Sequence, residues 1–233
     1  MKISTFLASV VVLAHGVSST YLWSELIHHD YVSPDFVRQQ RTSAPITDVS
    51  SDALRCGDRP HPAAKTLQLS GGAKIGFRLK KSFWTPKKIK ELGPVSIYVG
   101  IVPDNKTFET WDGSGAQWVK LSEWGAKFHP FTFESYHKHE FTTLFPPPSP
   151  SGLYYVRFEQ ISLEHPGKPK FWVSCAQVNF TNGGDFKPMM HPIPGVYNKY
   201  DPGLTVNIYH PIPTHYRVPG PDPLLPANLT GSA

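Results

Sequence analysis

The 233-residue chain carries 23 basic and 18 acidic side chains, a formal charge of +5. Much of that excess lies in RLKKSFWTPKKIKE, residues 78–91, and no nucleic-acid motif accompanies it, so it reads as a solvated loop and nucleic acid is not an expected partner. The one long apolar run, residues 6–13, falls short of the roughly 20 residues that cross a bilayer, so no membrane anchor is expected.

That run follows a single lysine and precedes Ala14, with Val12 two places earlier. The pattern predicts a signal peptide over residues 1–14. Cleavage there would leave His15 as the first mature residue, carrying both an imidazole and a free α-amine, a pair that can chelate a metal. Cleavage after Gly16 satisfies the same small-residue rule and would remove that pair. Residues 15–233 then form one secreted domain, with sequons at Asn105, Asn179 and Asn228 as candidate glycosylation sites. In an exported chain the two cysteines, Cys56 and Cys175, are simplest read as one disulfide closing a long loop, which contributes about 4 kcal/mol on the chain-entropy account.

Twenty-four prolines and eighteen glycines leave little room for long helices. TLQLSGGAKIGFRL (66–79) alternates about a glycine turn, PVSIYVGIVP (94–103) is rich in β-branched and aromatic residues, and GLYYVRFEQISLEH (152–165) and KFWVSCAQVNFT (170–181) alternate over most of their length. These predict an all-β chain, an antiparallel β-sandwich of immunoglobulin-like type. Residues 104–150 read as a long irregular insertion with at most one helical turn near residues 118–126. The proline-rich tail after Asp185 reads as extended chain with one strand at LTVNIY.

Several stretches together resemble the fungal lytic polysaccharide monooxygenases of auxiliary-activity family nine: APITDVSSDALRC, GPVSIYV, GLYYVRFEQISLEH with FWVSCAQVNFTNGG, and PGVYNKYDPGLTVNIYHPIPTHYRVPGP. The ordered set, spanning nearly the whole mature chain, is the specific signal. The resemblance implies a two-sheet sandwich with a flat face for cellulose or another β-glucan. It also implies a Cys56–Cys175 disulfide, one copper ion, an external electron donor, and a monomer that breaks chains oxidatively.

Family copper is held by an N-terminal histidine, here His15, and by a second histidine one residue before the Gly-Pro-Val strand, where this chain has Glu91. A carboxylate is a harder ligand than imidazole and adds a negative charge, which predicts weaker selectivity for copper and a lower potential. The axial tyrosine of the family falls on Trp172 and its glutamine on Lys170. Its outer histidine falls on Glu164, with His165 one place later, so that a one-residue bulge would be needed to recover an imidazole. Tyr197 matches a family aromatic on the polysaccharide face, and Tyr200 and Trp84 could widen that platform. His28 and His29, or His137 and His139, are the loop histidines that could replace the missing ligand. The alternative reading is a noncatalytic polysaccharide- or copper-binding member of the same fold.

Overall fold

The computed structural model describes residues 21–58, 60–80, 87–225 and 230–232. The described chain is almost entirely β and folds as two facing sheets. The first contains β1 (Glu25–His28), β2 (Tyr31–Ser33), β4 (Lys74–Arg78), β9 (Glu140–Leu144) and β13 (Gly231–Ser232), in the order β13-β9-β4-β1-β2. The second contains β3 (Leu67–Ser70), β5 (Val95–Ile101), β6 (Ala116–Trp124), β10 (Gly152–Ser162), β11 (Lys170–Thr181) and β12 (His191–Pro192), in the order β12-β6-β5-β10-β11-β3. All pairs in these sheets are antiparallel except β3 with β11. A short ribbon, β7 (Ala126–Lys127) with β8 (Thr132–Phe133), lies apart from both.

The alternation seen in β10 and β11 is real, but both of its faces are buried. Val156, Phe158, Trp172, Ala176 and Val178 point between the sheets, where they meet Trp23, Phe77 and Phe141. Tyr155, Phe171 and Cys175 point the other way, under a layer made by Leu54, Phe108, Trp111, Ile193, Tyr197 and Leu204. Cys56 and Cys175 form the expected disulfide, pinning the short 3-10 turn Asp52–Leu54 and its neighbours to that outer face.

Residues 66–79 do form two strands about a glycine turn, with β3 joining β11 in one sheet and β4 joining β1 and β9 in the other. Two sequence expectations are corrected. Residues 118–126 are not a helical turn, since residues 118–124 lie in the nine-residue strand β6 and Ala126 begins β7. LTVNIY is not a strand, since Asp201 accepts from the Gly203 amide and Pro202 follows it, starting the helical turn α1 (Pro202–Thr205).

Buried phenols make this fold sensitive to alkali. Burial pushes the Tyr154 hydroxyl up to about 12, and it holds the Tyr98 and Tyr197 hydroxyls well above the usual range as well. The folded values lie above the unfolded one, so the contribution is intact below about pH 10 and is lost as pH rises toward the folded values. Denaturant midpoints should therefore fall between about pH 10 and 12, and less steeply in Tyr154→Phe. A flat profile over that range would contradict the burial.

Candidate functional site

Of the residues that the resemblance places at the metal, Glu91 lies where the chain passes from the 87–93 segment into β5. Gly93 lets that segment approach β10 closely, for a Cβ at this position would collide with the Ile161 carbonyl oxygen and lie 2.9 Å from its carbon. The Leu163 amide donates to the Leu92 carbonyl (2.8 Å) and the Ile161 amide to Pro94 (3.0 Å). On the other side, Ser135 Oγ donates to the Gly93 carbonyl (2.6 Å), and the His137 amide donates to Ile89 (2.9 Å). From the N-terminal side, the Tyr21 hydroxyl accepts the amides of Lys90 (2.8 Å) and Glu91 (3.2 Å). Residue 91 is thus fixed by three separate parts of the chain.

Glu91 itself is only 7% exposed, and its Oε2 has no hydrogen-bond partner among the described residues. Burial pushes its carboxyl above the usual carboxylate range, Ser162 opposes this by hydrogen bonding, Glu164 adds to it, and Lys170 and His165 oppose it. Ser162 lies directly opposite Lys170 in the β10–β11 register, so their side chains share a face. Tyr209 is more than half exposed, and its hydroxyl is raised by burial and by Glu164.

The other expected site residues are dispersed. Trp172 is buried, with its ring edge-on to Tyr21 at 5.0 Å and its indole N–H given to the Ser43 carbonyl (3.3 Å), so it packs inward instead of capping an open site. His165 sits exposed in the turn after β10, and the β10–β11 register runs from Gly152 to Ser162 without the bulge that would have recovered it. Tyr197 is buried, its hydroxyl donating to Glu159 and lying 2.8 Å from the Tyr98 hydroxyl. It is therefore core, not a surface substrate contact. Tyr200 is 73% exposed, with the Lys199 ammonium over its ring, at the rim of an open cleft of about 800 Å³ lined also by Asn198, Asp201 and Arg217.

The rings of His28, at the end of β1, and His29, in the turn after it, lie 4.6 Å apart and tilted by 55°, and His137 stacks on Tyr136; none of these, nor His139, is among the groups acting on Glu91. Asn105 is exposed, and Asn179 lies in β11 with its amide donated to Gln68. His15, Trp84 and Asn228 lie outside the described residues. Sequence reading missed Tyr21, Ser162 and Tyr209. The one available signal was that Ser162 and Lys170 flank the β10–β11 turn, which sets them opposite each other.

The sequence model of Auxiliary Activity family 9 (formerly GH61) matches residues 9–216. The chain is 39% identical over 229 residues to AA9 family lytic polysaccharide monooxygenase H of Malbranchea cinnamomea, covering 93% of this chain and 97% of that one. It is 34% identical to monooxygenase E of Thermothielavioides terrestris, covering 89% and 92%. In fold it is similar to a cellulose-active polysaccharide monooxygenase from M. thermophila, with a TM-score of 0.75 at 24% identity over 87% of this chain and 98% of that one. The chain belongs to Auxiliary Activity family 9, the lytic polysaccharide monooxygenases, and its fold is theirs. The activity of that family is copper-dependent oxidative degradation of polysaccharides.

The described donors do not fit copper. Glu91 offers oxygen, Ser162 a hydroxyl, Lys170 an ammonium without a lone pair at neutral pH, and the Trp172 nitrogen is a donor already committed to Ser43. Among the described residues no group of three or more His, Cys, Asp or Glu is arranged to hold a metal.

Proposed function

We propose that this chain is a secreted, monomeric polysaccharide monooxygenase acting on cellulose or a related β-glucan. It takes one copper ion on the amine and imidazole of a mature N-terminal His15, with electrons from an external donor. The family match over residues 9–216, on a chain that folds as the family does, carries this reading. When bound, the metal would supply oxygen chemistry; the described residues supply the setting. Tyr21 holds the backbone of Lys90 and Glu91 in place, Tyr209 offers a ring at the surface beside Glu164, and Tyr200 offers a second, more exposed ring. Flat aromatic faces of this kind take sugar rings by apolar contact. Asn105, exposed in its turn, is the sequon proposed to carry a glycan.

The test is to sequence the N-terminus of the secreted protein, titrate it with copper, and assay cellulose with a reductant for oxidised cello-oligosaccharides. An N-terminal His15, one equivalent of copper and oxidised products are expected. A chain starting at Val17, or one that adheres to cellulose without oxidised products, would replace this reading with the noncatalytic binding one. The carboxylate at Glu91 and the ammonium at Lys170 favour that second reading.

A further inference from the structure

We infer that the open cleft beside Tyr200 is a saccharide-binding subsite, separate from the surface around Tyr209, and that it takes one loose β-glucan chain. That the ligand is a glucan rests on the polysaccharide reading proposed above; that the cleft is a preformed polar site rests on its own geometry.

Two segments make its walls, 198–206 and 215–220, around a space of about 800 Å³. That lies within the range of about 300–1,000 Å³ common to small-ligand sites. Both walls are fixed by the protein alone. On the first, Asn198 Oδ1 accepts the Tyr200 amide (2.9 Å), the Asn198 carbonyl accepts the Asp201 amide (2.9 Å), and Asp201 Oδ1 accepts the Gly203 amide (2.8 Å). On the second, the Tyr216 ring stands edge-on to Phe133 with centroids 5.2 Å apart, and its hydroxyl donates to the Gly203 carbonyl (3.1 Å), which ties the walls together. A Cβ at Gly203 would lie 2.7 Å from the Arg217 carbonyl oxygen, so glycine is what allows the walls to meet. A site ordered beforehand loses little freedom when a ligand enters.

The groups around the cleft suit a neutral ligand rich in hydroxyls. Tyr200 is 73% exposed even with the Lys199 ammonium 4.8 Å from its ring centroid, so an aromatic face remains for the C–H face of a sugar. Pro202 and Val206 add apolar surface. The second oxygen of Asp201 has no hydrogen bond among the described residues and accepts from a hydroxyl. Arg217 gives Nη2 to Asp222 (2.8 Å) and keeps further N–H groups that donate. A sugar hydroxyl donates and accepts, so it uses both. A polyanion would meet Asp201 and Asp222, a polycation would meet Lys199 and Arg217, and an apolar ligand would cover these charges without pairing them.

Shape selects the form of the glucan. The face of a cellulose crystal is flat and does not enter between two walls, whereas a single chain does. Tyr209 lies on the connection between the walls and lines neither, which leaves it to the flat substrate of the proposed reaction.

The experiment uses the whole secreted protein stripped of metal, with cellohexaose as the soluble probe and microcrystalline cellulose as the flat one. Calorimetry should give a cellohexaose Kd of about 1 mM or tighter. The Kd should rise about tenfold in Tyr200→Ala, an exposed position whose truncation leaves the core intact, and stay within about twofold in Tyr200→Phe, which keeps the ring. Tyr209→Ala should also stay within about twofold, and adsorption of Tyr200→Ala to microcrystalline cellulose should match the parent. In amide spectra, Gly203 and Arg217 should shift as cellohexaose is added. No binding at millimolar cellohexaose would overturn the inference, as would a loss in Tyr209→Ala without one in Tyr200→Ala, or equal losses of Tyr200→Ala on both probes. Cellohexaose held in the cleft of a protein that yields no oxidised products would sink the proposed oxidation and leave the cleft standing. Oxidised products from a protein whose cellohexaose binding ignores Tyr200 would do the reverse.

Discussion

Glu159→Ala is expected to destabilise the protein by about 3–5 kcal/mol, enough to threaten folding altogether. Arg157 and Glu159 sit fully buried on the outer face of β10, with Arg157 Nη2 2.6 Å from Glu159 Oε2. Arg157 Nε also donates to the carbonyls of Leu54 (2.8 Å) and Arg55 (3.0 Å), and the Tyr197 hydroxyl donates to the other Glu159 oxygen. The pair therefore holds two separate layers onto the sheet: the turn before Cys56 and the tail around Tyr197. Nearby, buried Lys120 reaches Glu123 (2.7 Å) and the Pro219 carbonyl (2.9 Å), tying down the tail a second time. Removing only the carboxylate strands a guanidinium with no water to solvate it, and desolvation then dominates. The double variant Arg157→Met/Glu159→Leu should cost clearly less than the sum of the single changes, because it strands neither charge. Urea midpoints of the two single variants and the double variant measure this. A Glu159→Ala shift worth under about 1 kcal/mol would mean that water reaches the pair.

How far such features were legible from sequence depends on whether the partner is local. β10 and β11 were readable because each is a long alternating run and they are joined by a short turn, so the whole antiparallel pair lies within 152–181. The glycines at 71–72 correctly marked a turn but not its partners: β3 pairs with β11, about a hundred residues on, and β4 with β9. β6 was missed because Trp118, Leu121 and Trp124 fall at a spacing of three, which mimics a helix face; in the sheet, Trp118 faces the outer layer while Leu121 and Trp124 face the core between the sheets. Tyr197 was placed on the surface by resemblance, and nothing in its neighbours announced the buried Glu159 beneath it. Glu91 was visible as a substitution, yet what surrounds it was not, because Ser162 and Lys170 matter only through a register that the sequence implies and does not state.

The second large effect lies at Gly93, where fold and site meet. Gly93→Ala should destabilise by about 4 kcal/mol, the sum of an unfavourable backbone angle and a forced separation of two strands. A Cβ there would press on the Ile161 carbonyl, backbone that belongs to the middle of the second sheet and cannot swing aside. Gly152 provides the control: its φ of 153° nearly equals the 158° of Gly93, but a Cβ at 152 would meet nothing within 4 Å. Gly152→Ala should therefore show only the backbone cost, about 1–2 kcal/mol, and the difference between the two variants isolates the steric part. The same clash should pull Leu92 away from Leu163 and shift Glu91 beside it, because that bond hangs on the close approach that glycine permits. Amide exchange at Leu163 then distinguishes the cases: it should quicken in Gly93→Ala and stay slow in Gly152→Ala. Equal destabilisation by both alanines, with Leu163 protected in each, would show that the chain at Gly93 has room to relax and that the position of Glu91 does not depend on this glycine.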